Sequence, residues 1–139
     1  MLLPLKTLAL VTLISFALHL TWESLHVLLY TGYEHLSTQL PIYVWASIGD
    51  VLYTLGAFAL VCAFKKNIDW MQRSTFSDYL ALAALGFFMA LFVEYKALAF
   101  HRWAYLPNMP IIPFLHVGLS PVLQMTLLLP LTVSLVALL

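Results

Sequence analysis

Four stretches of this chain, about Thr7–Tyr30, Ile42–Phe64, Asp78–Phe100 and Pro113–Leu138, are each apolar over the roughly 20 residues a helix needs to cross a bilayer. Hydrocarbon offers no water to satisfy backbone N–H and C=O groups, so a run of this kind is expected to close its own hydrogen bonds as an α-helix. The expected fold is therefore all-α: a four-transmembrane-helix bundle forming one integral membrane domain over residues 1–139. Composition agrees, with 63% of the 139 residues hydrophobic and 9% charged, against roughly 25% charged in soluble domains. The formal net charge is zero and no basic run occurs, so nucleic acid is not an expected partner. Membrane lipids are, and a homo-oligomer is compatible with so small a chain. The single cysteine, Cys62, excludes an internal disulfide and multi-cysteine metal or redox motifs.

Lys6 ahead of an apolar run resembles a signal-peptide start, but no small-x-small cleavage pattern follows and hydrophobicity continues through Leu29. The segment reads as a retained helix. Pro107, Pro110 and Pro113 make the approach to helix four extended, and Pro121 and Pro130 are expected to kink it. Lys6, Lys65, Lys66 and Arg73 collect at one face and Lys96 and Arg102 at the other. The positive-inside rule then places both termini in the cytoplasm, and residues 31–41 and 101–110 outside, as in a bacterial inner membrane.

Within these apolar runs stand Glu23, His26, Asp50 and Glu94. Ionisable groups are costly in hydrocarbon and mark functional sites by default. At about 1.5 Å rise per residue, Glu23, Asp50 and Glu94 lie about 10, 12 and 9 Å in from the same face. Helical phase gathers them further. Helix one aligns Thr12, Ser15, His19, Glu23, His26 and Tyr30; helix two aligns Tyr43, Ser47, Asp50 and Thr54. Helix three contributes Phe87, Ala90, Glu94 and, two turns on, His101, and helix four His116, Ser120 and Gln124. Such stripes point at protein or at a water-filled cavity. Ser15, Ser47, Thr54, Ser120 and Gln124 also suit plain helix–helix hydrogen bonding. Gly49, Gly56 and Ala63 read as one close-packing seam and Ala83, Gly86 and Ala90 as another. Glu34 and His35 read as solvated loop residues, and Lys96 and Arg102 as either snorkelling to headgroups or neutralising Glu94.

Several chemistries suit this constellation. Glu23 and His26 form one Glu-x-x-His pair, where di-iron bundles use two; a single ion on Glu23, His26 and Asp50 or Glu94 is conceivable, but no stoichiometric metal is expected. Haem would need axial histidines from different helices, such as His26 with His101 or His116, and the sequence names no cofactor. Metal-free acid–base chemistry needs a carboxyl as acid beside a carboxylate or histidine as base. The catalytic candidates are Glu23, His26, Asp50 and Glu94, and the substrate-binding candidates His19, Trp22, Trp103, Tyr105, His116 and Gln124. Glu23 and Glu94 are expected to cooperate across helices one and three. A site in hydrocarbon suits a lipophilic small molecule, a lipid or isoprenoid. The alternatives are a small transporter or proton-coupled subunit, or an accessory subunit whose polar stripe meets a larger partner.

The stretch from Trp103 through Tyr105 and Pro107 to Pro110, with Gly118 to Gln124 following, is similar to small four-helix bacterial membrane proteins. The Trp-x-aromatic-x-Pro foot after an intramembrane acid also resembles the membrane-bound lycopene cyclases of carotenoid synthesis. Their further acidic motif has no counterpart here, where Gln124 stands at the matching position. What this resemblance implies is a lipophilic substrate.

Overall fold

A computed structural model describes residues 5–33 and 36–139; Glu34 and His35 lie outside the described residues. The helices are α1 (Leu5–His26), α2 (Leu36–Lys65), α3 (Phe76–Ala99) and α4 (Leu119–Ala137). A short 3-10 turn, Val27–Leu29, continues α1, and another, Asp69–Arg73, joins α2 to α3. Among the described residues four helical segments are long and apolar enough to cross a bilayer, which makes the chain an integral membrane protein built as a helix bundle.

Burial in the bundle is distributed as lipid demands. Phe64, Phe88, Phe92, Leu25 and Trp45 are exposed on the outside, while Ser15, His19, Ser47, Thr54, Glu94, Gln124 and Thr132 are buried. Large apolar side chains gain nothing by leaving hydrocarbon, whereas polar groups must find partners inside. On α1 the inward residues are Val11, Ser15, His19 and His26, which follow the three- and four-residue steps of its polar stripe. At the end holding the 3-10 turn of Asp69–Arg73, the interior is apolar: Phe58, Trp70, Leu82, Leu129 and Val133 form a core. There the Trp70 indole N–H donates to Cys62 Sγ at 3.3 Å. Lys65 pairs with Asp78 at 2.7 Å, and Asp78 also accepts from the Thr75 backbone N–H at the start of α3.

Three sequence expectations need correction. Helix α4 starts at Leu119, not at Pro113: residues Ile111–Ile112 (β1) pair antiparallel with Val117–Gly118 (β2). The turn between them sets Phe114 and His116 at φ 70° and 55°, a conformation no helix can carry. Pro121 consequently falls in the first turn of α4, where its missing N–H has no helical partner to lose; Pro130 is the proline inside the helix. Helix α2 starts at Leu36 instead of Ile42 and takes in Pro41, which early in a helix forfeits only one bond. Helix α3 stops before His101, which adopts φ 52°. His101 donates its N–H to Leu98 and Arg102 donates to Ala97, the paired bonds of a Schellman cap with histidine in the position glycine usually takes.

The two small-residue seams also part company. A Cβ on Gly86 would lie 2.2 Å from the Met125 carbonyl oxygen, whereas one on Gly49 or Gly56 would meet nothing within 4 Å. Helix α3 therefore lies flush on α4, while Gly49 and Gly56 face open space and Ala63 is exposed. Helix α1 packs on α2 and α4, but α2 and α3 scarcely touch. That gap positions the site.

Candidate functional site

A cavity of about 400 Å³ occupies the gap, bounded by α1, α2, α3, α4 and Trp103. Val27, Tyr43, Ala46, Met89, Val93 and Met125 make most of its wall apolar, and Glu23, His26, Asp50, Glu94 and Gln124 also line it. Ile42, Trp45 and Tyr53 on its rim are exposed, so it opens sideways, toward the surface that meets lipid, beside α2.

Gln124 is the hub of one wall. Its Nε2 lies 3.1 Å from His19 Nδ1, 3.0 Å from Glu23 Oε1 and 2.9 Å from Asp50 Oδ2. Three acceptors around one atom fix the amide with its nitrogen inward, since the oxygen there would meet only other lone pairs. The histidine tautomer follows from the next bond out. Thr54 donates its hydroxyl to the Asp50 carbonyl at 2.9 Å, so it accepts from His19 Nε2 at 3.2 Å. His19 Nδ1 is then bare and takes a hydrogen from Gln124. The amide has two hydrogens for three acceptors, so the cluster is short of one donor. Glu23 and Asp50 are thus bridged by the one Gln124 amide nitrogen.

Glu23 reaches His26 with its second oxygen, at 3.2 Å from Nε2. His26 Nδ1 lies 2.9 Å from Ser120 Oγ, and Ser120 accepts from the Trp22 indole at 3.3 Å. With the Ser120 hydrogen directed to Nδ1, His26 presents Nε2–H to Glu23. An unbroken hydrogen-bonded chain thus runs from Thr54 through His19, Gln124, Glu23 and His26 to Ser120.

Glu94 belongs to a separate wall. The Trp103 indole donates to its Oε2 at 3.3 Å, and the Tyr105 hydroxyl donates to the same oxygen. Among the described residues no hydrogen bond holds Oε1 of Glu94, which lines the cavity. The loop beyond α3 is brought here by backbone pairing with the end of α1: Thr31 N–H to Ala104 and Leu106 N–H to Leu29, both 2.9 Å. Tyr30 packs edge-on to His26, Trp103 and Tyr105 at ring distances of 5.4, 6.2 and 5.5 Å. Burial, with the nearby Glu94 carboxyl, holds the Tyr30 and Tyr105 phenols well above the ordinary tyrosine value. Tyr105 is accordingly a fixed donor.

Glu23, His26, Asp50, Glu94, Trp103 and Gln124 are thus brought to one cavity, His19 stands behind Gln124, and Tyr105 stands behind Glu94. Trp22 lies between α1 and α4 and does not line the cavity. His101 and His116 are exposed outside the bundle interior, because His101 follows the end of α3 and His116 lies in the turn before α4 begins, so neither faces His26. Glu23 is bonded to Gln124 and His26, and Glu94 lines the same cavity from another wall without touching Glu23. Lys96 and Arg102 do not pair with Glu94: among the described residues the ion pairs are His19–Asp50, His26–Glu23 and Lys65–Asp78. Among the described residues no three His, Cys, Asp or Glu side chains are arranged to hold a metal ion; the Gln124 amide nitrogen fills the point on which the donors converge.

Sequence reasoning placed Tyr43 on the polar stripe of helix two but missed Ala46, Gly49, Tyr53 and Val93 as lining residues. Among these Gly49 carried a signal, a missing side chain one residue before an intramembrane acid. Tyr43, 2% exposed, lines the cavity, and its buried hydroxyl has no hydrogen-bond partner among the described residues. Comparisons with family models, curated proteins and solved structures return no match to this chain.

Proposed function

We propose that this protein is a small membrane enzyme that performs acid–base chemistry on a lipophilic substrate, a lipid or isoprenoid, entering sideways between α2 and α3. The observation that carries the reading is the Glu23–Asp50–Gln124 cluster, two carboxyls bridged by one amide and joined to His26, on the wall of a mostly apolar cavity. An acid and a base facing one apolar space can donate a proton to a double bond or polar group and remove one elsewhere. Glu94, steadied by Trp103 and Tyr105, supplies a second carboxyl on the opposite wall. Tyr30 and Trp103 offer ring faces to a developing cation. The Tyr43 hydroxyl adds a donor, since a buried hydroxyl without a partner costs about 1–3 kcal/mol.

The test is Glu23→Gln, Glu94→Gln and His26→Gln, with Thr21→Val as control because Thr21 bonds only its own helix, at the Ala17 carbonyl. Expression, thermal stability and the lipid profile of cells bearing each variant are measured together. Stable glutamine variants that retain the wild-type lipid profile would sink the acid–base reading.

A second reading, a proton-coupled subunit, draws on the hydrogen-bonded chain from Thr54 to Ser120. That chain stays near one end of the bundle, while the other end is filled by Phe58, Trp70 and Leu129. Proton flux through the purified protein in liposomes, lost in His19→Gln, would favour it. For orientation we propose that the cavity end faces out of the cytoplasm, on the basic excess at the opposite end. Cysteines at Thr38 and Ser74 in a Cys62→Ser background test this: an impermeant thiol reagent should label position 38 in intact cells, and labelling at 74 alone would reverse it.

A further inference from the structure

A second, smaller recess lies between α2 and α3, about 80 Å³ in volume, and shares Tyr53, Val93 and Trp103 with the large cavity. Its distinguishing residues are Lys96 and Arg102. The two spaces differ in kind as well as size. The large one is walled mostly by aliphatic and aromatic groups, whereas the small one is bordered by two cations.

We propose that the substrate is an amphiphile bearing a phosphate group, whose head is held at Lys96 and Arg102 while its chain lies in the large cavity. This rests on the lipophilic-substrate reading above and names the class of substrate. Three observations support it. First, among the described residues no carboxylate lies within 4 Å of either cation, and the Lys96 ammonium instead sits 6.0 Å from the centre of the Phe92 ring. Second, both cations stand at the bundle end with fewer basic residues, so the charge asymmetry that sets topology does not account for them. Third, the recess adjoins the cavity at the level where chemistry is proposed. Lys96 and Glu94 lie on different faces of α3, and the two spaces meet at the shared Tyr53, Val93 and Trp103, so a chain running from the recess into the cavity passes Trp103, which itself bonds Glu94. A planar guanidinium and a mobile ammonium are a fitting pair for phosphate oxygens.

Binding of farnesyl phosphate and of farnesol to the purified full chain, in phosphatidylcholine nanodiscs, tests the proposal. Tryptophan fluorescence provides the signal, because Trp103 lies on the wall the two spaces share. Farnesyl phosphate should bind at least tenfold more tightly than farnesol. Lys96→Gln/Arg102→Gln should bring that ratio near one with farnesol affinity unchanged, and Lys96→Arg/Arg102→Lys should preserve it. Equal affinities in the wild type, or a ratio untouched by the double glutamine variant, would overturn the proposal. So would loss of the ratio in the charge-conserving variant. Displacement of the probe by inorganic phosphate would also overturn it, as a free-phosphate site. Displacement by phosphatidylglycerol added to the discs would support it and identify the head as that of a bilayer phospholipid. The binding ratio reads the recess, whereas the lipid profile of the Glu23→Gln cells reads the chemistry, so the two proposals fail separately.

Discussion

Helix α3 meets its two neighbours in opposite ways. Along α4 it presents Gly86 so closely that the Met125 carbonyl occupies the space of a side chain, and Ala90 one turn on is buried. Toward α2 it presents Met89, Val93 and Glu94 across a 400 Å³ opening, and Gly49 on the other side has no atom to touch. In lipid there is little hydrophobic gain from closing such a gap, because acyl chains are as apolar as leucine. A helix pair is held shut by close packing or by hydrogen bonds, and α2–α3 has only the Lys65–Asp78 pair at the end away from the cavity. The difference explains how so small a bundle keeps an internal space: the closed interface fixes α3, and the open one is where a lipid-like molecule can enter.

The largest effect is expected at the closed interface. Gly86→Leu must push α4 backbone aside, and overpacking against backbone should cost about 3 kcal/mol or more. Thermal unfolding in detergent or nanodiscs measures it. An unchanged melting temperature would mean that α3 and α4 are less intimate than the Met125 contact indicates, and the comparison would lose its fixed side.

That interface was partly legible in the sequence, and the open one was not. Ala83, Gly86 and Ala90 and the seam Gly49, Gly56 and Ala63 have the same spacing logic, yet only the first is pressed against a neighbour. Small residues permit close approach without causing it, and what decides is whether a facing helix arrives. The polar stripes were more readable, since a buried Glu or Gln must find partners whichever helix supplies them. Their pairing was not. Gln124 read as helix-bridging or substrate-binding, and only its place among three acceptors makes it the hub. His101 and His116 misled because periodicity extends through a sequence beyond helix bounds: a positive φ ends α3 before His101, and another keeps His116 in the turn before α4.

Next in size is Gln124→Ala, which removes the donor shared by His19, Glu23 and Asp50. Leaving buried acceptors short should cost about 2 kcal/mol. It also vacates the point on which one imidazole nitrogen and two carboxylate oxygens converge, a donor set that suits zinc. Added Zn²⁺ should therefore raise the melting temperature of the variant and not of the wild type. A variant as stable as wild type and indifferent to zinc would mean that the amide does not hold these groups together.

Tyr105→Phe probes the opposite wall and should be milder, about 1–1.5 kcal/mol for one hydrogen bond. Burial and Glu94 raise the Tyr105 phenol. A phenol raised in the folded state gives up no stability below its ordinary value near 10, and stability falls as pH climbs beyond that. Tyr105→Phe should remove part of this alkaline fall, with Tyr30, raised for similar reasons, supplying another part. An alkaline limb identical in variant and wild type would detach Tyr105 from Glu94.

The smallest effect, and the one that bears most directly on the open interface, is expected at Gly56. It is exposed in mid-helix, and a methyl group there meets nothing. Replacing a helical glycine with alanine removes backbone freedom from the unfolded chain, so Gly56→Ala should stabilise by about 0.5–1 kcal/mol. Gly49→Ala should gain similarly while narrowing the cavity by one methyl, and Gly49→Leu should block ligand entry without unfolding the bundle. If instead Gly56→Ala destabilises, the face of α2 that is bare in the single chain is covered in the membrane. A second copy packing through Gly56 would account for that, and cross-linking between exposed positions on α2 would detect it. Gly49 separates the cases, because it borders the cavity as well as lying on the same seam. A loss confined to Gly56→Ala marks a helix–helix contact outside the site, whereas losses at both would mean that the open side is closed by a partner.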